Sequence, residues 1–202
     1  MSRDATAHAL ARALRQPPEA LRRADRAAPD ERAAHLLRTA AVGTLATVHD
    51  GQPFLNTNLF AWEPEPTPHG VIWMHTAHVG RTAANVNAAP PAPVCFSVFT
   101  MGRLLPDDRA LEFSVEYAGV VAFGAGRLVR DADEARHGLA LLMEKYAPHL
   151  RPDADYEPPT PADLARTAVF RIDVERVSAK EKTAPADFPR AYRYEDVARE
   201  AR

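Results

Sequence analysis

One short stretch of the chain carries residue types that suit a bound phosphate group. It runs HTAHVGRT from His75 to Thr82, where a predicted strand gives way to a predicted short helix. The hydroxyls of Thr76 and Thr82 and the Arg81 guanidinium add to the free backbone N–H groups of a helix start. Gly80 permits close approach of a ligand to the backbone. A strand-to-helix turn with an exposed arginine fits the same spacing, so both interpretations stay open.

A second polar feature lies in a predicted hairpin. Asp50-Gly51 supplies the positive φ angles of a type I′ turn, and residues 55–60, LNTNLF, form the second arm. This arm carries Asn56 and Asn58 on one face, although strands usually avoid asparagine. Because exposed strand faces are usually polar, periodicity alone favours a solvent-facing pair.

Other chemistry is not supported by the pattern. His75 and His78 are three residues apart, which on a strand points them to opposite faces, and no cysteine or carboxylate cluster completes a metal site. Cys95 lies in the apolar run Val94 to Val98 and is predicted to be a core residue. Nucleophile-elbow, P-loop and dinucleotide-binding fingerprints are not found in the sequence.

The elements that position these residues are mostly strands. About six strands with few helices, joined by short connections, predict a small antiparallel barrel. Phe113 to Arg130 is interpreted as a hairpin-like pair broken by its glycines. The other predicted helices are Pro29–Ala40, Arg81–Ala88 and one that ends at Tyr146 and is capped by Asp131 or Asp133. The other predicted strands lie in the hairpin and at Val71–Thr76, Val94–Phe99 and Ala168–Val174.

Composition limits the partners. The 202 residues carry a net charge of −2, contain one cysteine, and include neither a charged-then-apolar leader nor a long uncharged apolar run. A nucleic-acid or membrane-surface partner usually requires concentrated positive charge, which the overall balance does not indicate. We therefore expect a cytoplasmic protein whose partner is a small molecule or another copy of the chain.

The order of the motifs resembles the pyridoxamine 5′-phosphate oxidase-like group of FMN-binding split-barrel proteins. Within that group it is most similar to the branch that includes nitroimidazole-resistance proteins, over roughly Leu21 to Lys182. The resemblance implies a mainly β (α+β) fold, a six-stranded antiparallel split β-barrel with flanking helices, and a homodimer that binds FMN in clefts between subunits. The motifs that carry it are VGTLATVHDGQPFLNTNLF, IWMHTAHVGRTAAN, PVCFSV, EYAGVVAFGAGRL and ALLMEKYAP.

The resemblance also implies a set of cofactor-binding residues. In the family the second hairpin strand lies along the isoalloxazine ring, whose polar edge can bond to amides, and the later strand and turn bind the phosphate. Thr82 stands where many members carry a second Lys or Arg, so one positive charge is missing. The matching residues are Asn56, Thr57, Asn58, Leu59, His75, Thr76, Gly80, Arg81 and Thr82.

The implied function is an FMN-dependent oxidoreductase that acts on a small organic molecule, with a nicotinamide as electron donor. The chemistry would be mostly the cofactor's, so no dedicated acid–base pair is expected. Two alternatives stay open: a deazaflavin- or haem-binding barrel, with His75 as a haem ligand, and a flavin-binding module without turnover. True pyridoxamine phosphate oxidases resemble one another in a C-terminal segment with Arg and His residues that holds the substrate phosphate. A true oxidase is not expected here, because the segment Phe188 to Arg202 contains no histidine.

The chain is predicted to consist of an N-terminal extension (1–28), a split-barrel domain (29–183) and a C-terminal tail (184–202). Lys180 and Lys182, after the last predicted strand, and Arg22, before the first barrel helix, could bring positive charge toward the flavin. Such residues are more often solvated charges on the protein surface.

Overall fold

Seven antiparallel strands form one sheet in the computed structural model, which describes residues 3–87 and 91–200. The strand order is β2-β1-β5-β6-β7-β4-β3, so β2 and β3 are the two edges and backbone pairing does not close the sheet into a ring. The strands are β1 Gly43–His49, β2 Gln52–Asn58, β3 Ala61–Glu63, β4 Val71–Ala77, β5 Pro93–Leu105, β6 Ser114–Leu128 and β7 Thr167–Lys182.

The mainly β, antiparallel split-barrel prediction is confirmed, with one strand more than the six expected. The additional strand is β3, three residues that pair with β4 at the sheet edge. The hairpin between β1 and β2 turns at Asp50 and Gly51, whose φ angles are 50° and 74°. Both angles are positive, as the type I′ turn requires.

The prediction of a hairpin-like pair within Phe113 to Arg130 is wrong, because this segment is the single strand β6. Its glycines do not adopt the positive φ of a tight turn. At Gly124 the register against β7 shifts, and an added Cβ would lie 2.0 Å from the carbonyl oxygen of Asp173. This glycine therefore serves a bulge and a close backbone approach.

Six helices flank the sheet in the described residues. Pro29, where the first barrel helix was predicted to begin, immediately precedes α2. The Asp131 carboxylate caps α4 by accepting from the backbone N–H groups of Asp133 and Glu134. The predicted end of α3 at Ala88 lies outside the described residues. In the described ranges no helix is long and apolar enough to cross a membrane. The helices are α1 Arg3–Ala13, α2 Asp30–Thr39, α3 Arg81–Val86, α4 Ala132–Tyr146, α5 Pro161–Arg166 and α6 Tyr194–Glu200.

Strand β4 lies between two hydrophobic clusters. Ile72 and Met74 belong to the main core, while Val71 and Trp73 belong to a second cluster under α4. Gly138 lets α4 approach closely, since an added Cβ would lie 2.5 Å from the Trp73 ring. Burial on both faces explains the continuous apolar run of this strand.

The two ends of the chain both contact the sheet. The backbone N–H of Ala28 donates to the carbonyl of Ala179 on β7, and Tyr192 in the tail pairs with Leu104 on β5. Arg103 donates to Glu116, and this ion pair holds the pKa of Glu116 down at about 2.

Lys145, near the end of α4, places its ammonium group 3.5 Å from the centroid of the Phe60 ring and donates to the carbonyl of Leu37 at 3.4 Å. No carboxylate among the described residues pairs with it. Desolvation lowers the pKa of Lys145 to about 8. The charged form is therefore disfavoured in the folded protein.

We expect Lys145 to make stability depend on pH. Because its pKa is lower in the folded than in the unfolded chain, the folded state binds fewer protons between about pH 8 and pH 10.5, and stability rises with pH across that window. Solvent screening of this half-exposed group limits the gain to about 1 kcal/mol. Urea unfolding of wild type and Lys145→Met from pH 7 to pH 10.5 measures it; parallel curves for the two proteins contradict the assignment.

Candidate functional site

The two asparagines of β2 join the hairpin to β4 and α3. The Asn58 side-chain amide donates to the carbonyl of His75 at 2.9 Å, and the Asn56 amide donates to the Thr82 hydroxyl at 3.1 Å. Both asparagines are half-buried. The solvent-facing placement favoured by periodicity is therefore wrong, because these side chains bridge the opening that backbone pairing leaves in the sheet.

The opposite face of β2 is exposed. Leu55 and Leu59 are 64% and 43% exposed, and the Thr57 hydroxyl bonds only to the hydroxyl of Thr44 across the hairpin, at 2.8 Å. The four predicted residues 56–59 thus divide between the two sides of the chain: the asparagines face the split, while Thr57 and Leu59 face outward.

Helix α3 is fixed to the hairpin by a buried polar contact. The Asn85 amide donates to the Thr47 hydroxyl at 2.9 Å, and both side chains are only 3% exposed. Thr82 lies on the same face of α3, one turn earlier, and is also buried. The sequence analysis did not identify Asn85 as a supporting residue. Its position three residues after Thr82 and next to the apolar Val86 could have indicated that it lies on the buried face of the helix.

The turn between β4 and α3 is open to solvent. Residues 77–81 are all exposed, and a Cβ added at Gly80 would meet no atom within 4 Å. Gly80 has a φ of 150°, which disfavours any residue with a side chain. The Ala84 N–H donates to the Gly80 carbonyl, so the N–H groups of residues 81–83 precede the first helical hydrogen bond.

The charge at this turn comes from Arg81. Its guanidinium is exposed and has no ion-pair partner among the described residues. Desolvation lowers the pKa of His75, so its imidazole is neutral at pH 7. The Thr76 hydroxyl donates to the neighbouring carbonyl of Ala77 at 3.0 Å, and it can still accept a hydrogen bond.

This arrangement can hold one phosphate group. The turn offers free backbone donors, an unpaired arginine and open space at a glycine, which are the requirements of an anion site. The amide of Asn58 is less available, because its oxygen accepts from the Leu59 N–H while its nitrogen donates to His75. Asn58 therefore positions the strand beside the turn.

An antiparallel sheet left open between its edge strands, with this turn at the opening, is the architecture of a split-barrel protein. The sequence profile of the family described as Pyridoxamine 5′-phosphate oxidase matches residues 29–181. The chain belongs to this family, which confirms the resemblance found in the motif order. No curated protein sequence matches the chain.

Solved structures with the same fold include proteins whose names mention flavin or heme. The flavocytochrome Anf3 from Azotobacter vinelandii is 19% identical, with a TM-score of 0.69 over 89% of this chain and 78% of that one. The FAD and heme binding protein from Mycobacterium smegmatis is 22% identical, with a TM-score of 0.66 over 84% and 77%. A protein described in relation to 5-nitroimidazole antibiotic resistance, from Bacteroides thetaiotaomicron VPI-5482, is 16% identical, with a TM-score of 0.60 over 76% and 84%.

We expect Asn58→Ala to lower the free energy of unfolding by about 1 kcal/mol, because it removes a hydrogen bond that bridges the split. Thr57→Val is the matched control on the same strand, since it removes an exposed hydrogen bond within the hairpin and should cost less than about 0.5 kcal/mol. Urea denaturation measures both, and equal losses would contradict a bridging role for Asn58.

Proposed function

We propose that the protein binds FMN at the β4–α3 turn and acts as an oxidoreductase on a small organic molecule. The observation that carries this proposal is the unpaired, exposed Arg81 at an open glycine turn, next to the strand that bridges the split. Family membership supports a flavin ligand, and the names of two structural neighbours include FAD or a flavocytochrome.

FMN, rather than a dinucleotide, suits the charge at the turn. Arg81 is the one arginine or lysine within residues 75–82, and neither the neutral imidazole of His75 nor Thr82 adds a charge. One guanidinium and a few backbone N–H groups match a single terminal phosphate. A diphosphate would bring additional negative charge to the same small turn.

When bound, FMN supplies transfer of a hydride or of single electrons. The protein's own groups would then bind and orient the cofactor. Arg81 and the backbone of Gly80 would hold the phosphate, while β2, fixed by Asn56 and Asn58, would lie beside the ring. Hydride or electron transfer would be carried by the cofactor, with a nicotinamide as the electron donor.

A flavin on this open surface needs a second wall, since small-molecule sites bury most of their ligand. We propose that a second copy of the chain provides it. Four exposed apolar side chains lie on the outward face of the sheet, because residues paired across antiparallel strands point to the same side. They are Val48, Leu55, Phe99 and Met101.

Haem is the second candidate ligand. The observation that favours it is His75 at the end of β4, because desolvation lowers the pKa of its imidazole and so keeps the ring neutral and able to coordinate iron. The name of one structural neighbour includes heme as well as FAD. A deazaflavin, or a flavin held without turnover, would use the same turn.

The absorbance spectrum of the purified protein, with mass spectrometry of the molecule released on denaturation, tests the proposed cofactor. We expect a flavin spectrum that bleaches with a nicotinamide donor, and released FMN. A Soret band would favour haem instead, released deazaflavin or FAD would replace FMN, and colour without bleaching would favour a binding module. A colourless protein that takes up no added FMN would overturn the proposal.

Arg81→Ala should raise the dissociation constant for FMN by about 10- to 150-fold, because a hydrogen bond to a charged group contributes about 1.5–3 kcal/mol. Arg109→Ala, at an exposed arginine in the loop before β6, is the matched control and should leave the affinity unchanged. Fluorescence titration of the apoprotein with FMN measures both. Equal affinity in the wild type and Arg81→Ala would remove Arg81 from the site.

In solution we expect a mass of about 44 kDa, twice the 22.2 kDa of the chain. Leu55→Glu should shift the protein toward monomer and weaken FMN binding at least tenfold, because it places a charge on the proposed interface. Leu111→Glu changes an exposed leucine in a loop and serves as the control. Light scattering gives the mass; a monomeric wild type that binds FMN tightly contradicts the shared cleft.

A further inference from the structure

A second concentration of positive charge lies at the other end of the sheet. A pocket of about 320 Å³ opens where β6 begins and β7 ends, against the segment that precedes α2. We call it the basic pocket. Its cations are Arg22, Arg23, Arg26, Lys180 and Lys182.

The described residues neutralise these charges only in part. Asp25 is the carboxylate beside them, bonded to Arg23 at 2.8 and 2.6 Å and 3.4 Å from Arg26. Among the described residues, Arg22 and Lys180 have no carboxylate partner. Five cations against one carboxylate leave an excess of about four positive charges, in a chain whose net charge is −2.

The fold holds the cations together. The backbone of Ala27 pairs with that of Lys180, and the Ala28 N–H donates to the carbonyl of Ala179 at 3.0 Å. These contacts fix the arginine-bearing segment along the end of β7. Lys180 also lies 5.7 Å from the centroid of the Tyr117 ring, which keeps its ammonium group at the pocket wall.

Lys182 lies close to the other cations of the basic pocket. Its ammonium donates to the hydroxyl of Ser114 inside the pocket. Desolvation lowers the pKa of Lys182, and the positive charges of Arg26 and Arg23 lower it further. A bound anion would relieve this repulsion between like charges.

We propose that the basic pocket binds a small molecule that carries a diphosphate group. Arginine and lysine side chains in a concave site, with a hydroxyl donor beside them, are the groups that recognise phosphate oxygens. The excess of about four charges matches a diphosphate better than a single carboxylate or monophosphate.

The basic pocket is separate from the candidate flavin turn within one chain. Ala168, at the start of β7, pairs with Thr76, whereas Lys180 pairs with Gly119 near the opposite end of the strand. The path along β7 between these positions is about 40 Å. The proposal therefore does not require that the turn of the same chain binds a flavin.

Isothermal titration of the full chain with inorganic pyrophosphate at about 50 mM salt tests the proposal. We expect binding, and a dissociation constant at least about tenfold higher in Arg22→Gln and in Lys180→Gln. Arg109→Gln, which removes the same charge at an exposed loop position, should bind like the wild type. Thermal melting of each variant confirms that it is folded.

Four results would overturn the proposal. The first is no pyrophosphate binding by the wild type. The second is equal weakening in Arg109→Gln, which would mean a general charge effect. The third is binding of citrate as tightly as pyrophosphate, which would mean that charge rather than phosphate is recognised. Loss of pyrophosphate binding in Arg81→Ala alone would move the site to the β4–α3 turn and also contradict it.

Discussion

The side-chain bridge across the split is the constraint on which the candidate site depends. The sheet ends at β2 on one side and at β3 on the other, so the hairpin is held to β4 and α3 by Asn58, Asn56 and the buried Asn85–Thr47 pair. Each bond contributes about 1 kcal/mol, but leaving a buried amide unpaired costs about 1–3 kcal/mol. The bridge therefore fixes one arrangement of the opening, although the backbone groups on the two sides of the opening do not pair as strands.

Rigid support for the turn comes from β4. Residues Val71 to Met74 are buried alternately in two cores, and burial stops abruptly at His75. The exposed turn thus begins at the end of a strand that is packed on both faces. On the other side of the turn, contacts of the buried Thr82 and Asn85 hold α3 in place. Because β4 and α3 hold the turn between them, the site is pre-organised. Ordering it on binding therefore costs little conformational entropy.

Local signals made part of this structure predictable. The Asp50-Gly51 turn and the capped helix after Asp131 depend on neighbours in sequence, and both form as expected. The single strand β6 did not follow from its glycines, because their use depends on the distant carbonyl of Asp173. The Asn85–Thr47 contact also joins residues far apart in sequence. The sequence thus singled out Asn56, Asn58 and the β4–α3 turn as candidates, but not the Asn85–Thr47 contact that supports them.

The hairpin turn determines which residues of β2 face the candidate site, because it sets the register of β1 and β2. A two-residue turn fixes the pairing of β1 with β2, from His49 opposite Gln52 to Gly43 opposite Asn58. Because side chains alternate, a shift of one residue would send the asparagines outward and bring Leu55 toward the split. The polar bridge and the apolar outer face are therefore set together by one glycine turn, and neither can move without the other.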